Sequence, residues 1–212
     1  MKRFIAFLLS VVLVISATVT AFAEDKKETA AKELEKYGIL DARGYMGEIK
    51  TEGYVTRAEM AKMLVLMLGL TPGDAVADFS DVSGDHWAHS FISRAAAFGI
   101  INGMGDGTFL PDENITYQQA IKMVVCTLGY KVAAERKGGY PHGYIMTAMD
   151  LGLTPSKAEI QAKADRGEIF LMLKKALDVP VMVVTEYEGN TAYKILDGKN
   201  GERFVSIRTR LE

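Results

Sequence analysis

One kind of helix start occurs three times in this chain. Thr56-Arg57-Ala58-Glu59 opens an apolar run that ends at Gly69, Thr116-Tyr117-Gln118-Gln119 opens one that ends at Gly129, and Asp165-Arg166-Gly167-Glu168 opens one that ends at Asp178. The starts are 60 residues apart (56 to 116) and 49 apart (116 to 165), and the three segments align without a gap. Thr or Asp at each start has a side-chain oxygen that can accept from the unpaired N–H groups of a first helical turn. Glu or Gln three residues later has the spacing to bond back, as in a capping box. Met60, Met63, Leu64, Met67 and Leu68, and then Ile121, Val124, Val125 and Leu128, follow at helical spacing. Methionines at that spacing, Met123 among them, are expected in a core rather than around a cofactor. Gly69 and Gly129 read as C-terminal stops.

A second helix ending in glycine precedes each start. Trp87 to Gly99 supplies it in the middle copy, Tyr140 to Gly152 in the third, and Thr29 to Gly38 in the first. Aligning Gly99 with Gly152 places Tyr140 on Trp87, His142 on His89 and Tyr144 on Phe91. Each unit therefore reads as helix, loop, helix. A pair this small cannot bury its apolar faces alone, so three units are expected to close a shared core.

The N-terminus stands apart from this pattern. Lys2 and Arg3 precede an uncharged stretch from Phe4 to Ala23 that ends in Ala21-Phe22-Ala23, followed by Glu24-Asp25. That is the layout of a secretory signal peptide over 1–23, and no cysteine follows it to take a lipid. The alternative is a retained membrane helix, against which Ser16, Thr18 and Thr20 make the second half polar. Cleavage would leave 23 basic against 27 acidic residues, since Lys2 and Arg3 go with the leader. A mildly acidic exported chain is not a polybasic nucleic-acid binder. One cysteine, Cys126, allows no internal disulfide and sits in an apolar helical run as a small buried hydrophobe.

The middle copy carries the most informative residues. Phe79-Ser80-Asp81-Val82 leads to Asp85-His86-Trp87-Ala88, then to Gly99-Ile100-Ile101-Asn102-Gly103-Met104-Gly105-Asp106-Gly107-Thr108-Phe109-Leu110-Pro111, then to Ile115-Thr116. In that order these pieces resemble the S-layer homology (SLH) domain, and the flanking partial copies resemble the SLH triplets of Gram-positive bacteria. The resemblance covers about residues 30 to 180. It implies a mainly α fold, a pseudo-threefold bundle of three helix-loop-helix repeats (24–71, 78–131 and 138–180), with a short C-terminal β segment over 181–212. It also implies non-covalent attachment at the cell surface, in the S-layer, through secondary cell wall polysaccharide attached to peptidoglycan. That polymer is held in grooves between repeats, often by a terminal pyruvylated N-acetylmannosamine. The chemistry is coherent, because a guanidinium at a helix N-terminus offers a ketal carboxylate paired donors and a favourable dipole.

Carried over by position, the resemblance makes Arg57 and Arg166 the expected carboxylate partners, with Tyr117 standing where the middle copy departs from arginine. Asp81 and Trp87 match the opening motif, one as an acceptor for sugar hydroxyls and the other as a flat apolar face. Gly103, Gly105 and Asp106 lie in the turn whose amides would approach the ligand. Simpler roles compete: an ion pair between Arg57 and Glu59, an N-cap at Asp81, and packing for Trp87. Asn102, Asp106, Gly107 and Glu113 fall at calcium-loop positions, but Met104 and Leu110 supply no side-chain oxygen, so no metal and no cofactor is expected.

Past Val179-Pro180 the sequence turns β-prone at 181–185, 192–196 and 204–207, with turn signals at Asp197-Gly198 and Asn200-Gly201. This segment either adds to the bundle or begins a larger domain. An anchoring module is the expected function, not an enzyme. A wall hydrolase would need converging acids, and none pairs with Glu59, Glu113 or Glu168 at recognisable spacing. Self-association through an edge strand is the remaining alternative. No stable membrane association is expected once the leader is cleaved.

Overall fold

The computed structural model describes residues 23–41, 49–73, 79–154, 159–187, 190–199 and 203–212. The expected leader, apart from Ala23, and the Asn200-Gly201 turn lie outside the described residues. The elements in order are α1 (23–36), α2 (Arg57–Met67), α3 (His89–Ala97), α4 (Tyr117–Thr127), α5 (Lys131–Arg136), α6 (His142–Asp150), α7 (Arg166–Ala176), β1 (Met182–Tyr187), β2 (Asn190–Ile195) and α8 (Arg208–Leu211). Among the described residues the chain is mainly helical, with one two-stranded sheet.

The repeated starts form as their chemistry requires. Thr56 and Thr116 each accept from the backbone N–H three residues on, and Glu59 and Gln119 each bond back to the cap N–H. In the third copy Asp165 accepts from Glu168 N, while the Glu168 carboxylate lies 3.8 Å from Lys27 Nζ. Gly38, Gly99 and Gly152 share φ near 70° (70°, 67° and 70°), the left-handed stop that a Cβ would strain.

The three segments ahead of α2, α4 and α7 meet and complete one another. Val55 N donates to the Ala164 carbonyl, Ala164 N to the Ile115 carbonyl, and Ile115 N to the Val55 carbonyl, at 3.4, 2.8 and 2.9 Å. This closes a ring. Bridges Tyr54–Asp165, Thr56–Asn114 and Thr116–Lys163 flank it. Val55, Ile115 and Ala164 are all buried. A buried peptide group must be paired, and no segment here is long enough to form a sheet, so each satisfies the next.

A helix pair this small cannot bury its apolar faces alone, and the packing partner of each first helix is the neighbouring unit. α2 packs on α3 and α4 on α6. α1 lies along α7, where Lys27 reaches Asp165 and Glu33 reaches Lys174. The floor of these contacts is apolar, and Met60, Met63, Met67 and Met123 are all buried. Cys126 is half-buried against this core, and burial raises its thiol pKa. α5, which no sequence signal marked, fills the link between the second and third units and packs on α6.

The C-terminal segment joins the bundle. Met182 N donates to the Leu128 carbonyl, Tyr130 Oη to the Pro180 carbonyl, and Arg208 N to the Leu177 carbonyl. Val181 and Ile207 are buried in the shared core. The third β-prone run makes only isolated bridges, Asp197–Phe204 and Pro180–Ser206, before the chain turns into α8. The Arg208 guanidinium then bonds Asp178, Glu33 and Tyr37 together, fastening α8 to α1 and α7.

Candidate functional site

Two clefts occupy equivalent places in the repeat. The first, about 350 Å³, is lined by Ile39, Leu40, Asp41, Glu59, Lys62, Met63 and Trp87. The second, about 240 Å³, is lined by residues that include Arg57, Ile100, Asn102, Gln119, Lys122, Met123 and Tyr140. By the sequence alignment Ile39 matches Ile100, Asp41 matches Asn102, Glu59 matches Gln119, Lys62 matches Lys122, Met63 matches Met123, and Trp87 matches Tyr140. Each cleft is thus built by the second helix of one unit, the loop after that unit's first helix, and the aromatic residue that opens the next unit.

The lysines sit over aromatic faces. Lys62 Nζ lies 6.0 Å from the Trp87 ring and 5.8 Å from Phe91, and Lys122 Nζ lies 5.1 Å from Tyr140 and 5.9 Å from Tyr144. Such cation–π contacts hold the ammonium at the cleft without removing its charge. Burial tendencies favour packing for Trp87, yet the indole is 54% exposed.

Arg57 lines the second cleft and is itself buried. Its Nε donates to the Phe109 carbonyl at 2.6 Å, and its guanidinium carbon lies 4.5 Å from the centre of the Phe109 ring. Phe79 stacks on the far side of Phe109, with ring centres 5.4 Å apart. Burial lowers the pKa of Arg57, but a guanidinium remains charged, so the cation sits in a poorly solvated wall. Among the described residues the competing alternative, an ion pair between Arg57 and Glu59, does not form. Glu59 instead receives Arg166, whose Nη2 lies 3.3 and 3.2 Å from its oxygens and 2.7 Å from the Tyr54 carbonyl.

Asp81 is neither a helix cap nor a cleft residue. Its two oxygens accept from Phe109 N and Leu110 N at 2.8 and 2.7 Å. Leu110 holds φ 58°, a left-handed conformation that costs a branched residue about 1–2 kcal/mol. Hydrogen bonds to a charged group contribute about 1.5–3 kcal/mol each and offset that cost. Asp81 therefore fixes the loop that carries Phe109 beneath Arg57. Gly103 lines the second cleft, and a Cβ there would come within 2.6 Å of the Thr108 carbonyl and 2.8 Å of Phe79. Gly105 and Asp106 do not line either cleft. The Asp106 carboxylate accepts from Thr108 N and Thr108 Oγ1, which closes its own turn and lowers its pKa. Among the described residues no group of three or more His, Cys, Asp or Glu is placed to hold a metal.

At the third helix start the described residues differ from both clefts. Tyr117 is buried, and its hydroxyl accepts from Asp165 N at 3.0 Å. Lys27 of α1 lies across α7, bonded to Asp165 and so close to Gly167 that a Cβ there would come within 2.4 Å of its side chain. Sequence reasoning singled out neither Lys62, Lys122, Gln119 nor Phe109. The repeated lysine six residues after each Thr cap was the available signal for the first two.

Comparison with known proteins relates the chain to a family. Residues 78–121 match the S-layer homology domain family. The chain is 31% identical to the "Middle cell wall protein" of Brevibacillus brevis, over 99% of this chain and 21% of that protein. It is 31% identical to a "Cell surface protein" of Thermoanaerobacter kivui, over 100% of this chain and 28% of that protein. It is 27% identical to the "Surface layer protein" of Brevibacillus choshinensis, over 99% of this chain and 20% of that protein. The chain thus spans between a fifth and three-tenths of the length of these relatives. It carries an S-layer homology domain over 78–121 and is a cell-surface protein. Among the described residues no helix is long and apolar enough to cross a membrane.

Proposed function

We propose that this cell-surface chain, which carries an S-layer homology domain, anchors itself by holding secondary cell wall polysaccharide in the two clefts between its units. In this reading 1–23 is a cleaved leader, and 24–71, 78–131 and 138–180 are three SLH repeats around a pseudo-threefold axis. The ring of hydrogen bonds through Val55, Ile115 and Ala164 supports that arrangement. The observation that carries the function is the recurrence of one side-chain set, a lysine over an exposed aromatic above a methionine floor, at two register-equivalent clefts. A sugar ring has an apolar face for the aromatic and hydroxyls for the polar rim. A pyruvate ketal adds a carboxylate, for which Arg57 and Lys122 supply the charge. A glycan hydrolase is a weaker reading, because Glu59 is already bonded to Thr56 N and Arg166.

The test is co-sedimentation of the purified chain with cell walls that retain their secondary polymer. Binding is expected, and chemical removal of the ketal should reduce it. Unchanged binding in a Lys62→Ala, Lys122→Ala double variant that folds normally would refute the two-cleft reading. A second reading, self-association, draws on Val184 and Tyr193, which face each other across the hairpin at 65% and 38% exposure. A concentration-dependent mass in light scattering, lost on Val184→Lys, would favour it.

A further inference from the structure

The two clefts share a skeleton but not a charge. At two equivalent positions the first cleft has a carboxylate where the second has a side-chain amide: Asp41 against Asn102, and Glu59 against Gln119. Glutamate and glutamine at the third helical position do the same structural work here. Thr56 N donates to Glu59 Oε2 at 2.9 Å, and Thr116 N donates to Gln119 Oε1 at 3.0 Å. Backbone and shape are kept while formal charge changes.

The consequence is a difference in the field each cleft presents. The second cleft is lined by Arg57 and Lys122, with no acid among its described lining residues. Burial acts most on Arg57, then Tyr140, and then Asp81, whose oxygens are engaged by two backbone amides. Among the described residues no ion pair involves Arg57, and its poorly solvated position strengthens its pull on an anion. The first cleft is lined by Lys62 with Asp41 and Glu59, and Arg166 is bonded to Glu59. An entering carboxylate would meet two like charges and an arginine that already has its acid. The first cleft is also longer. It adjoins a further hollow of about 580 Å³ beside Phe91, with which it shares Leu40, Asp41 and Lys62.

Resting on the wall-polysaccharide reading above, we infer that the clefts divide the ligand by charge. The second holds the anionic sugar unit. The first holds an uncharged stretch of glycan laid on Trp87. The difference is carried by the carboxylate-to-amide exchanges at 41/102 and 59/119.

The sole tryptophan lines the first cleft, so its fluorescence reads that cleft alone. The probes are the methyl glycoside of N-acetylmannosamine carrying a 4,6-pyruvate ketal, and the neutral methyl ester of that ketal. Calorimetry on the full chain should give one site for the acid, weakened by salt, with little change in Trp87 emission. The ester should lose roughly tenfold or more at that site, the scale of one charged hydrogen bond, while altering Trp87 emission more than the acid does. Gln119→Glu should weaken the acid site by a similar factor. The Asp41→Asn, Glu59→Gln pair should create a second acid site that Trp87 reports. Both variants keep a cap already used by the other copy, and circular dichroism would verify their fold. Two equal acid sites in the wild-type chain, or no new site in the Asp41→Asn, Glu59→Gln pair, would overturn the division while leaving anchoring intact. Absence of any response to either probe at millimolar concentration would overturn the division and the polysaccharide reading together.

Discussion

The chain segments that close the central ring and the clefts that surround it respond differently to side-chain differences between the copies. At the ring, Val55, Ile115 and Ala164 use the same backbone groups in the same way, and three different side chains are accepted because none of them makes the bond. At the rim, matched positions carry arginine, tyrosine and arginine (57, 117 and 166), or glutamate, glutamine and glutamate (59, 119 and 168), and the outcome changes each time. One arginine is buried over Phe109, one is paired with Glu59, and the tyrosine is buried and accepts from Asp165 N. Backbone pairing tolerates substitution, whereas a polar pocket does not, since one changed group alters charge and hydrogen bonding together.

The sharpest way to break this contrast is at the ring. Ile115→Ala removes a fully buried side chain and should cost about 2–5 kcal/mol in chemical denaturation, with the ring's backbone bonds still formed. A loss well under 1 kcal/mol would mean that the centre is not the keystone of the core. The C-terminal stops offer the next test. Gly69 and Gly129 are equivalent, at φ 66° and 85°, but a Cβ on Gly69 meets nothing within 4 Å, whereas one on Gly129 would lie 2.0 Å from the Met182 carbonyl. Gly69→Ala should cost about 1 kcal/mol, the left-handed penalty alone. Gly129→Ala should cost at least about 2 kcal/mol and release the hairpin to hydrogen exchange. Equal effects would show that the tail does not rest on α4.

A smaller effect is expected at Tyr117. Tyr117→Phe removes the acceptor for Asp165 N and should cost about 1 kcal/mol in thermal or chemical unfolding without altering saccharide titrations. The smallest concerns the clamp at Arg208. Hydrogen bonds from Arg208 hold Asp178 below its ordinary range, and at Glu33 the bonds from Arg208 and Lys174 outweigh the upward push of burial. Carboxylates depressed by folding stabilise the native state fully above their unfolded values, near about pH 4 to 4.5. That stability is lost as pH falls through their lower folded values. The contribution is about 1 kcal/mol or less because the Asp178 side chain is 59% exposed. Arg208→Ala should flatten the acid limb of stability against pH, and an unchanged limb would remove the clamp from the account.

Much of the architecture was legible from residues. Capping pairs at Thr56 and Thr116, and glycine stops at Gly38, Gly99 and Gly152, are local chemistry, so their spacing alone located the helices. The clefts were legible only in part. Trp87 and Arg57 were named from the motif, but Asp81, Gly105 and Asp106 shape loops rather than the cleft surface, and Arg166 is bonded to an acid. α5 was missed because its six residues carry no cap signal and depend on packing against α6.

The sequence by itself determined where the capped helices begin, that one kind of helix start occurs three times, and which stretch carries the fullest motif, because those features follow from bonds within a few residues. Only the tertiary structure decided that each first helix packs on the unit before it, that Arg57 rests on a ring from the next unit, and that the tail belongs to the core. The last two of those outcomes rest on contacts 50 to 175 residues apart in the chain, such as Arg57 with Phe109 and Arg208 with Glu33, and no local pattern specifies which distant surface a side chain will meet.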